Sequence, residues 1–246
     1  MDGMGKKEQK MYHYIDDKYF LKQMRCCCSD IINQLVQQIN NDSIMTVAAH
    51  LVGSGAKNLI TQNGKEPIDL DYNLCIIVSS GLSIYDGYSI KEYIRKQFNT
   101  VLKRNGWTDC KDSTSVLSTG KHYFPKSRNQ TNFSIDLAIV RKDLYGWHRL
   151  IHRKTGIVSL DQWYWNSTPN SGNLEAKITT LKNEHLWEEV REVYLKKKNM
   201  YLQRNDYNHP SFIVYVETIN EVYNSFLDTF IYIKEKGESY DFRSMR

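Results

Sequence analysis

Apolar and polar positions divide the first part of the chain into a predicted helix and a predicted strand. After Ser29, an apolar residue recurs every three or four positions over 31–39. This spacing is typical of a helix, with Ser29 as its N-cap and its end near Asn40. The next apolar run, 44–52, is rich in β-branched residues and stops at Gly53-Ser54-Gly55, which predicts a buried strand followed by a tight turn.

The middle of the chain alternates between strand and helix patterns. Within the segment 68–78, apolar and polar residues alternate from 68 to 74, which predicts a strand with one apolar and one polar face. A Ser-x-x-Glu capping box predicts a helix over 89–104. Segments 116–124 and 132–140 are predicted to pair as an antiparallel hairpin. Segment 147–152 is predicted as a short, exposed edge strand because neither of its faces is cleanly apolar.

The last third of the chain has a helical pattern throughout. One long helix is predicted over 174–203 and another over 210–233. We therefore expect three parts: an N-terminal extension, 1–28, which is helical; an α/β domain, 29–170; and a helical C-terminal lobe, 171–246.

Composition and charge limit the classes of protein to which this chain can belong. The 246 residues carry a formal net charge of +5, and the segment 121–154 holds eight bases against two acids. Such a surface suits a polyanionic ligand such as a triphosphate or nucleic acid, although a solvated basic face explains it equally well. No apolar run is long enough to span a membrane, and the N-terminus lacks a secretory signal. Five cysteines without paired spacing favour reduced thiols, so we expect a cytoplasmic protein.

Three aspartates are candidates for a metal site. Asp69 and Asp71 lie two residues apart in a predicted strand and therefore project from the same face. Asp136 occupies the polar face of the strand predicted over 132–140. If the strands share a sheet, the three carboxylates converge and suit hard divalent cations. Each aspartate alone fits an ordinary solvated strand face, and Asp136 could instead pair with an arginine.

The turn after the first predicted strand is a candidate phosphate-binding element. Gly53 permits close backbone approach to a ligand, and the Ser54 hydroxyl is available to hold phosphate oxygens. Lys57 follows near enough to contribute a positive charge. A Gly-Ser pair after an apolar run is also common in loops that bind nothing.

The order of these elements resembles the nucleotidyltransferase superfamily, which includes DNA polymerase β, poly(A) polymerases and oligoadenylate-type synthases. The resemblance is carried by LVGSG, IDLDYNL and FSIDLAI, which lie between Val47 and Val140. It implies an α+β fold, in which a mixed sheet flanked by helices is followed by a helical lobe that closes the cleft.

The resemblance also implies roles for the residues that match its motif. Gly53 and Ser54 would position the triphosphate of an NTP. Asp69 and Asp71 would bridge two Mg²⁺ ions, with Mn²⁺ as a substitute. Asp136 would hold the catalytic ion and help to deprotonate the attacking hydroxyl.

The resemblance leaves the acceptor open among several chemical classes. A nucleotide or RNA hydroxyl, a second messenger built from nucleotides, and an aminoglycoside-like antibiotic are the alternatives. A non-catalytic regulatory or binding module on the same fold is the rival from another class. The oligomeric state is not indicated by any pattern in the sequence. The aromatic run of Trp163, Tyr164 and Trp165 is expected to pack at the lobe boundary, with base stacking as the alternative.

Overall fold

The computed structural model describes residues 11–168, 173–206 and 210–236. Its strands are β1 Tyr12–Tyr14, β2 Met45–Leu51, β3 Thr61–Asn63, β4 Ile68–Ser79, β5 Lys111–Asp112, β6 Leu117–Ser118, β7 Phe133–Asp143, β8 Gly146–Arg153 and β9 Gln162–Ser167. Its helices are α1 Lys18–Asn41, α2 Gly53–Lys57, α3 Gly87–Arg104, α4 Leu174–Asn183, α5 Trp187–Gln203 and α6 Ser211–Lys236. The chain forms two compact units, one of Ile15–Asn170 and one of Met1–Tyr14 with Ser171–Arg246. No helix of the described residues is both long and apolar enough to cross a membrane.

A mixed sheet forms the centre of the Ile15–Asn170 unit. Its strands follow the order β2-β4-β7-β6-β5, and β8 and β9 extend it beyond β7. The pair β4–β7 is parallel, and every other pair in this sheet is antiparallel. Helices α1 and α3 pack their apolar residues onto one face, where Leu70, Leu74, Ile135 and Leu137 are buried. The opposite face of β4 and β7 carries the aspartates.

The first helix begins eleven residues earlier than predicted, at Lys18 rather than Ser29. Asp17 is its N-cap and accepts a hydrogen bond from the backbone N–H of Phe20 at 2.9 Å. Phe20 and Met24 are fully buried on the same face as the later apolar residues. The predicted boundary at residue 28 therefore falls inside a continuous helix and is wrong.

The capping box predicted for α3 is also wrong. Asp86 is the N-cap and accepts from the N–H of Ser89 at 3.0 Å. Glu92 instead pairs with Arg95 at 2.5 Å. Because the helix begins at Gly87, the N–H groups that a Ser89 cap would have satisfied already lie within the helix.

The strands around Asp136 differ from the predicted hairpin in length. The segment predicted over 116–124 is reduced to the two residues of β6 and an isolated bridge between His122 and Phe133. The pairing with β7 is antiparallel, as predicted. Strand β8 is not an edge strand, because β7 pairs with one of its edges and β9 with the other.

A buried charged network anchors the β8–β9 hairpin. Lys91 is 1% exposed and pairs with Asp112 at 2.6 Å. The His152 ring lies between two carboxylates, 2.6 Å from Asp112 through Nδ1 and 3.0 Å from Asp161 through Nε2. Trp163 stacks on the same ring at 4.2 Å between centroids. These carboxylates thus all have cationic or imidazole partners.

The other unit is helical, with one break that the sequence pattern did not indicate. The helix predicted over 174–203 is two helices, α4 and α5, separated at 184–186. His185 has a positive φ of 59° there, which a continuous helix does not allow. Within this unit, the side-chain amide of Asn199 in α5 accepts from the backbone N–H of Tyr12 at 2.7 Å and donates to its carbonyl oxygen at 3.0 Å.

Candidate active site

The register of β4 and β7 brings the predicted carboxylates onto one face of the sheet. Asp71 lies directly opposite Asp136 in the parallel pair, and Asp69 lies opposite Ser134. Because side chains two apart on a strand share a face, Asp69, Asp71 and Asp136 all project away from the face covered by α1 and α3. Asp69 is exposed, whereas Asp71 and Asp136 are partly buried.

Gly53 lies against the central carboxylate. Its φ is +62°, and a Cβ added there would fall 2.5 Å from Oδ2 of Asp71. The backbone N–H of Val52 donates to the carbonyl oxygen of Asp71 at 2.8 Å, which fixes the turn beside β4. A side chain at position 53 would therefore be strained and would displace the carboxylate.

Ser54 and Lys57 follow Gly53 in the short helix α2. Sequence analysis predicted a turn here, and the chain forms one helical turn instead. Asn58 ends it in the left-handed conformation, with φ of 57°. The phosphate-binding roles of Ser54 and Lys57 stay predictions, because they depend on a bound nucleotide.

Asp69 and Asp136 each accept a hydrogen bond from a serine that the sequence pattern did not indicate. The Ser134 hydroxyl donates to Oδ1 of Asp69, its partner in the register of β4 and β7. Ser118 of β6 lies opposite Asp136 and hydrogen bonds to its carboxylate. Neither serine is distinctive in the sequence, since their position opposite an aspartate exists only once the register is known.

The electrostatics of the site are dominated by burial and like charge. Burial raises the pKa of Asp71 to about 6, and the charges of Asp136 and Asp69 act in the same direction. The charge of Arg149 opposes this rise but does not cancel it. Burial also raises the pKa of Asp136, against the hydrogen bond from Ser118. A cation at this position would lower both pKa values and relieve the repulsion.

The donor set suits a hard divalent cation by its chemistry. Carboxylate oxygens are the ligands that Mg²⁺ prefers, and three carboxylates share one sheet face. Within residues 11–168, 173–206 and 210–236, no three His, Cys, Asp or Glu side chains already stand in metal-binding geometry. Asp69 and Asp136 are instead turned toward their serine partners. The three carboxylates therefore share a sheet face without standing in metal-binding geometry.

The fold is α+β, as predicted, with a mixed sheet and helices packed on one of its faces. Structural comparison places the chain beside CdnC of Escherichia coli MS115-1, solved with ATP, with a TM-score of 0.52 and 14% identity over 86% of this chain. The complex of the same CdnC with HORMA-deltaN gives a TM-score of 0.50 at 15% identity over 83% of this chain.

The cyclic dinucleotide synthase CdnE of Elizabethkingia meningoseptica, solved with GTP and Apcpp, gives a TM-score of 0.48 at 14% identity, over 82% of this chain and 70% of that one. The chain spans 62% of the CdnC structure with ATP and 60% of CdnC in the HORMA complex. No protein-family model matches the sequence, and no curated protein does. At these identities the two CdnC structures establish the fold, while activity is a separate question.

Proposed function

We propose that the chain is a metal-dependent nucleotidyltransferase, which transfers a nucleoside monophosphate from an NTP to an acceptor hydroxyl and releases pyrophosphate. The observation that carries this proposal is the register pairing of Asp71 with Asp136 beside Gly53. Two partly buried carboxylates on adjacent strands repel each other, and a ligand that brings cations would stabilise them. The likeness in fold to CdnC solved with ATP supports an NTP as the donor.

The proposal assigns each site residue the role that the family resemblance implies. Asp69 and Asp71 would bind the cations, and Gly53 with Ser54 would hold the triphosphate, with Lys57 contributing charge. Asp136 would also hold a cation and would help to accept the proton of the attacking hydroxyl. Two Mg²⁺ ions, or Mn²⁺ in their place, would neutralise phosphate charge when bound. The acceptor oxygen forms a bond to the α-phosphorus as the bond to the pyrophosphate oxygen breaks.

The acceptor is best sought among nucleotides. The sheet face that carries the aspartates continues into the positively charged side chains of β8, which suit an anionic acceptor. An aminoglycoside is cationic and would meet like charge there. A nucleotide or RNA hydroxyl, or a second messenger made from nucleotides, is therefore favoured over an antibiotic.

The test is pyrophosphate release by the 246-residue chain with each of the four NTPs and Mg²⁺. Candidate acceptors are added in turn: a second NTP, a single-stranded RNA and an aminoglycoside. Products are identified by mass spectrometry. Asp71→Asn and Asp136→Asn should each lower the rate by at least about 100-fold, the lower end of the usual range for losing an acid–base group.

Asp109→Asn is the matched control, because Asp109 forms an exposed ion pair with Lys103 at 3.1 Å and lies outside the site. It should keep the parent rate. If no NTP and acceptor combination releases pyrophosphate, or if all three variants behave alike, the proposal fails. A non-catalytic binding module on this fold would then be the better account.

A further inference from the structure

The positively charged side chains on the two faces of the β8–β9 hairpin differ in their interaction partners. On the face that packs toward α3, the bases have acidic partners. Arg141 pairs with Asp143 at 3.4 Å, and His148 contacts the same carboxylate at 2.9 Å. His152 lies between two further carboxylates. Charge on this face is therefore compensated within the fold.

The opposite face holds bases and aromatic rings without acids. Strand alternation and the pairing register place Ile151, Gln162 and Asn166 on this face, together with five basic or aromatic side chains, here called the basic–aromatic face: Lys142, Trp147, Arg149, Arg153 and Tyr164. In the part of the chain that the structure describes, none of its three bases forms an ion pair with a carboxylate. The two rings are each 45% exposed. Trp163 and Trp165 pack against the core instead, so the predicted packing role holds for two of the three aromatic residues in that run.

The basic–aromatic face is continuous with the proposed active site. Arg149 lies opposite Val140, which projects from the same face of β7 as Asp136. The side chain of Arg149 therefore lies on the same sheet face as Asp71, which is opposite Asp136 in the register. Its Nε is buried and has no hydrogen-bond partner. An unsatisfied guanidinium N–H beside a carboxylate site fits an anionic ligand that reaches both.

We propose that the basic–aromatic face binds a single-stranded nucleic acid whose hydroxyl is the acceptor of the transfer reaction. Phosphates would contact Lys142, Arg149 and Arg153, and bases would stack on Trp147 and Tyr164. Exposed aromatic rings interspersed with bases are what single strands need, because their bases are free to stack. A duplex hides its base faces, and a polyanion without bases has nothing to stack. The acceptor role rests on the proposed function, whereas the binding itself does not.

The experiment measures binding by fluorescence anisotropy with a labelled single-stranded RNA of about 12 nucleotides, in EDTA and without NTP. A series of salt concentrations gives the slope of log K against log salt. Lys142→Gln with Arg153→Gln should lower the magnitude of that slope by roughly 1.4, at about 0.7 for each lost phosphate contact on a single strand. Tyr164→Leu should weaken binding about tenfold with little change in slope, because a stack is lost and no charge is.

Lys96→Gln is the matched control. Lys96 is an exposed lysine of α3, which covers the other side of the sheet. It should leave both affinity and slope at parent values. Single-stranded DNA should bind comparably if the face recognises phosphates and bases, and duplex RNA and heparin should compete at least tenfold less well.

Equal competition by heparin, or an unchanged affinity in Tyr164→Leu, would overturn the proposal in favour of a general polyanion surface. Absence of RNA binding at low salt would overturn it outright. Because binding is measured without metal or NTP, its outcome is separate from catalysis. RNA binding without pyrophosphate release would support the proposed binding surface and refute the proposed transferase activity. Pyrophosphate release without RNA binding would support the transferase activity and refute the binding surface.

Discussion

Two groups of partly buried carboxylates lie in the same unit and differ in their partners. Asp112 and Asp161 are held by Lys91 and His152, at 2.6 to 3.0 Å. Asp71 instead lies opposite another aspartate and beside a glycine. The first group is neutralised by the fold itself, and the second is not.

The difference separates a structural cluster from a functional one. A partly buried carboxylate lowers stability when no neighbouring positive charge offsets its burial, and its pKa rises, as it does for Asp71 in spite of the charge of Arg149. Compensation by Lys91 shows that this unit can supply a cation where one is needed for stability. The uncompensated pair is therefore best explained by a ligand that supplies the charge, which is the basis of the proposed metal and NTP site.

The largest effect should come from removing charge at the compensated cluster. Asp112→Asn leaves Lys91 buried without its carboxylate, which should lower the free energy of unfolding by about 3–5 kcal/mol. Asp136→Asn removes repulsion, so it should leave the stability of the metal-free protein unchanged or raise it. Urea unfolding in EDTA measures both. A large loss of stability in Asp136→Asn would mark Asp136 as a structural ion-pair partner. The two groups of carboxylates would then not differ in the way described.

A smaller effect should appear in the pH dependence of stability. The pKa of Asp71 rises from 3.8 to about 6 on folding, so the folded state binds more protons between these values. The free energy of unfolding should therefore fall as pH rises from about 4 to 6, by roughly 1–3 kcal/mol from this group. Asp71→Asn should lose that component, while Asp109→Asn should follow the parent. Parallel profiles for Asp71→Asn and the parent would show that folding does not raise the pKa of Asp71.

The smallest effect concerns the serine beside Asp69. Ser134→Ala removes one hydrogen bond to a carboxylate, which is worth about 0.5–1.5 kcal/mol. We expect the Mg²⁺ concentration for half-maximal pyrophosphate release to change by roughly 2- to 10-fold, with kcat at saturating Mg²⁺ nearly constant. Ser134→Thr keeps the hydroxyl and should restore the parent value. An equal fall in kcat for both variants would instead indicate a packing role.

The sequence alone predicts which sheet face carries the aspartates, because the alternation of side chains along a strand is a local property. The spacing of Asp69 and Asp71, and the apolar neighbours of Asp136, predict which face each occupies without knowledge of the fold. Their register could not be predicted, because α3, β5 and β6 separate the two strands along the chain. Ser118 and Ser134 become recognisable only through that register.

Other errors have equally specific causes. The continuity of α1 across residue 28 was missed because the buried residues of its first half are spaced among lysines, an arginine and three cysteines, which obscure the periodicity. Strand β9 was missed because Trp163, Tyr164 and Trp165 are all aromatic. Their residue types therefore do not show which side chains point to which face of the sheet. Its existence converts β8 from a predicted edge strand into an interior one and creates the basic–aromatic face.

The central claim is that Asp71 and Asp136 bind divalent cations together with an NTP, and counting bound Mn²⁺ tests it most directly. Electron paramagnetic resonance of free Mn²⁺ gives the number of ions bound per chain in the presence of a non-hydrolysable NTP. The parent and Asp109→Asn should each bind two ions with the nucleotide. Asp71→Asn and Asp136→Asn should each lose at least one. An equal count in all four proteins, or no protein-dependent binding in the parent, would contradict the account.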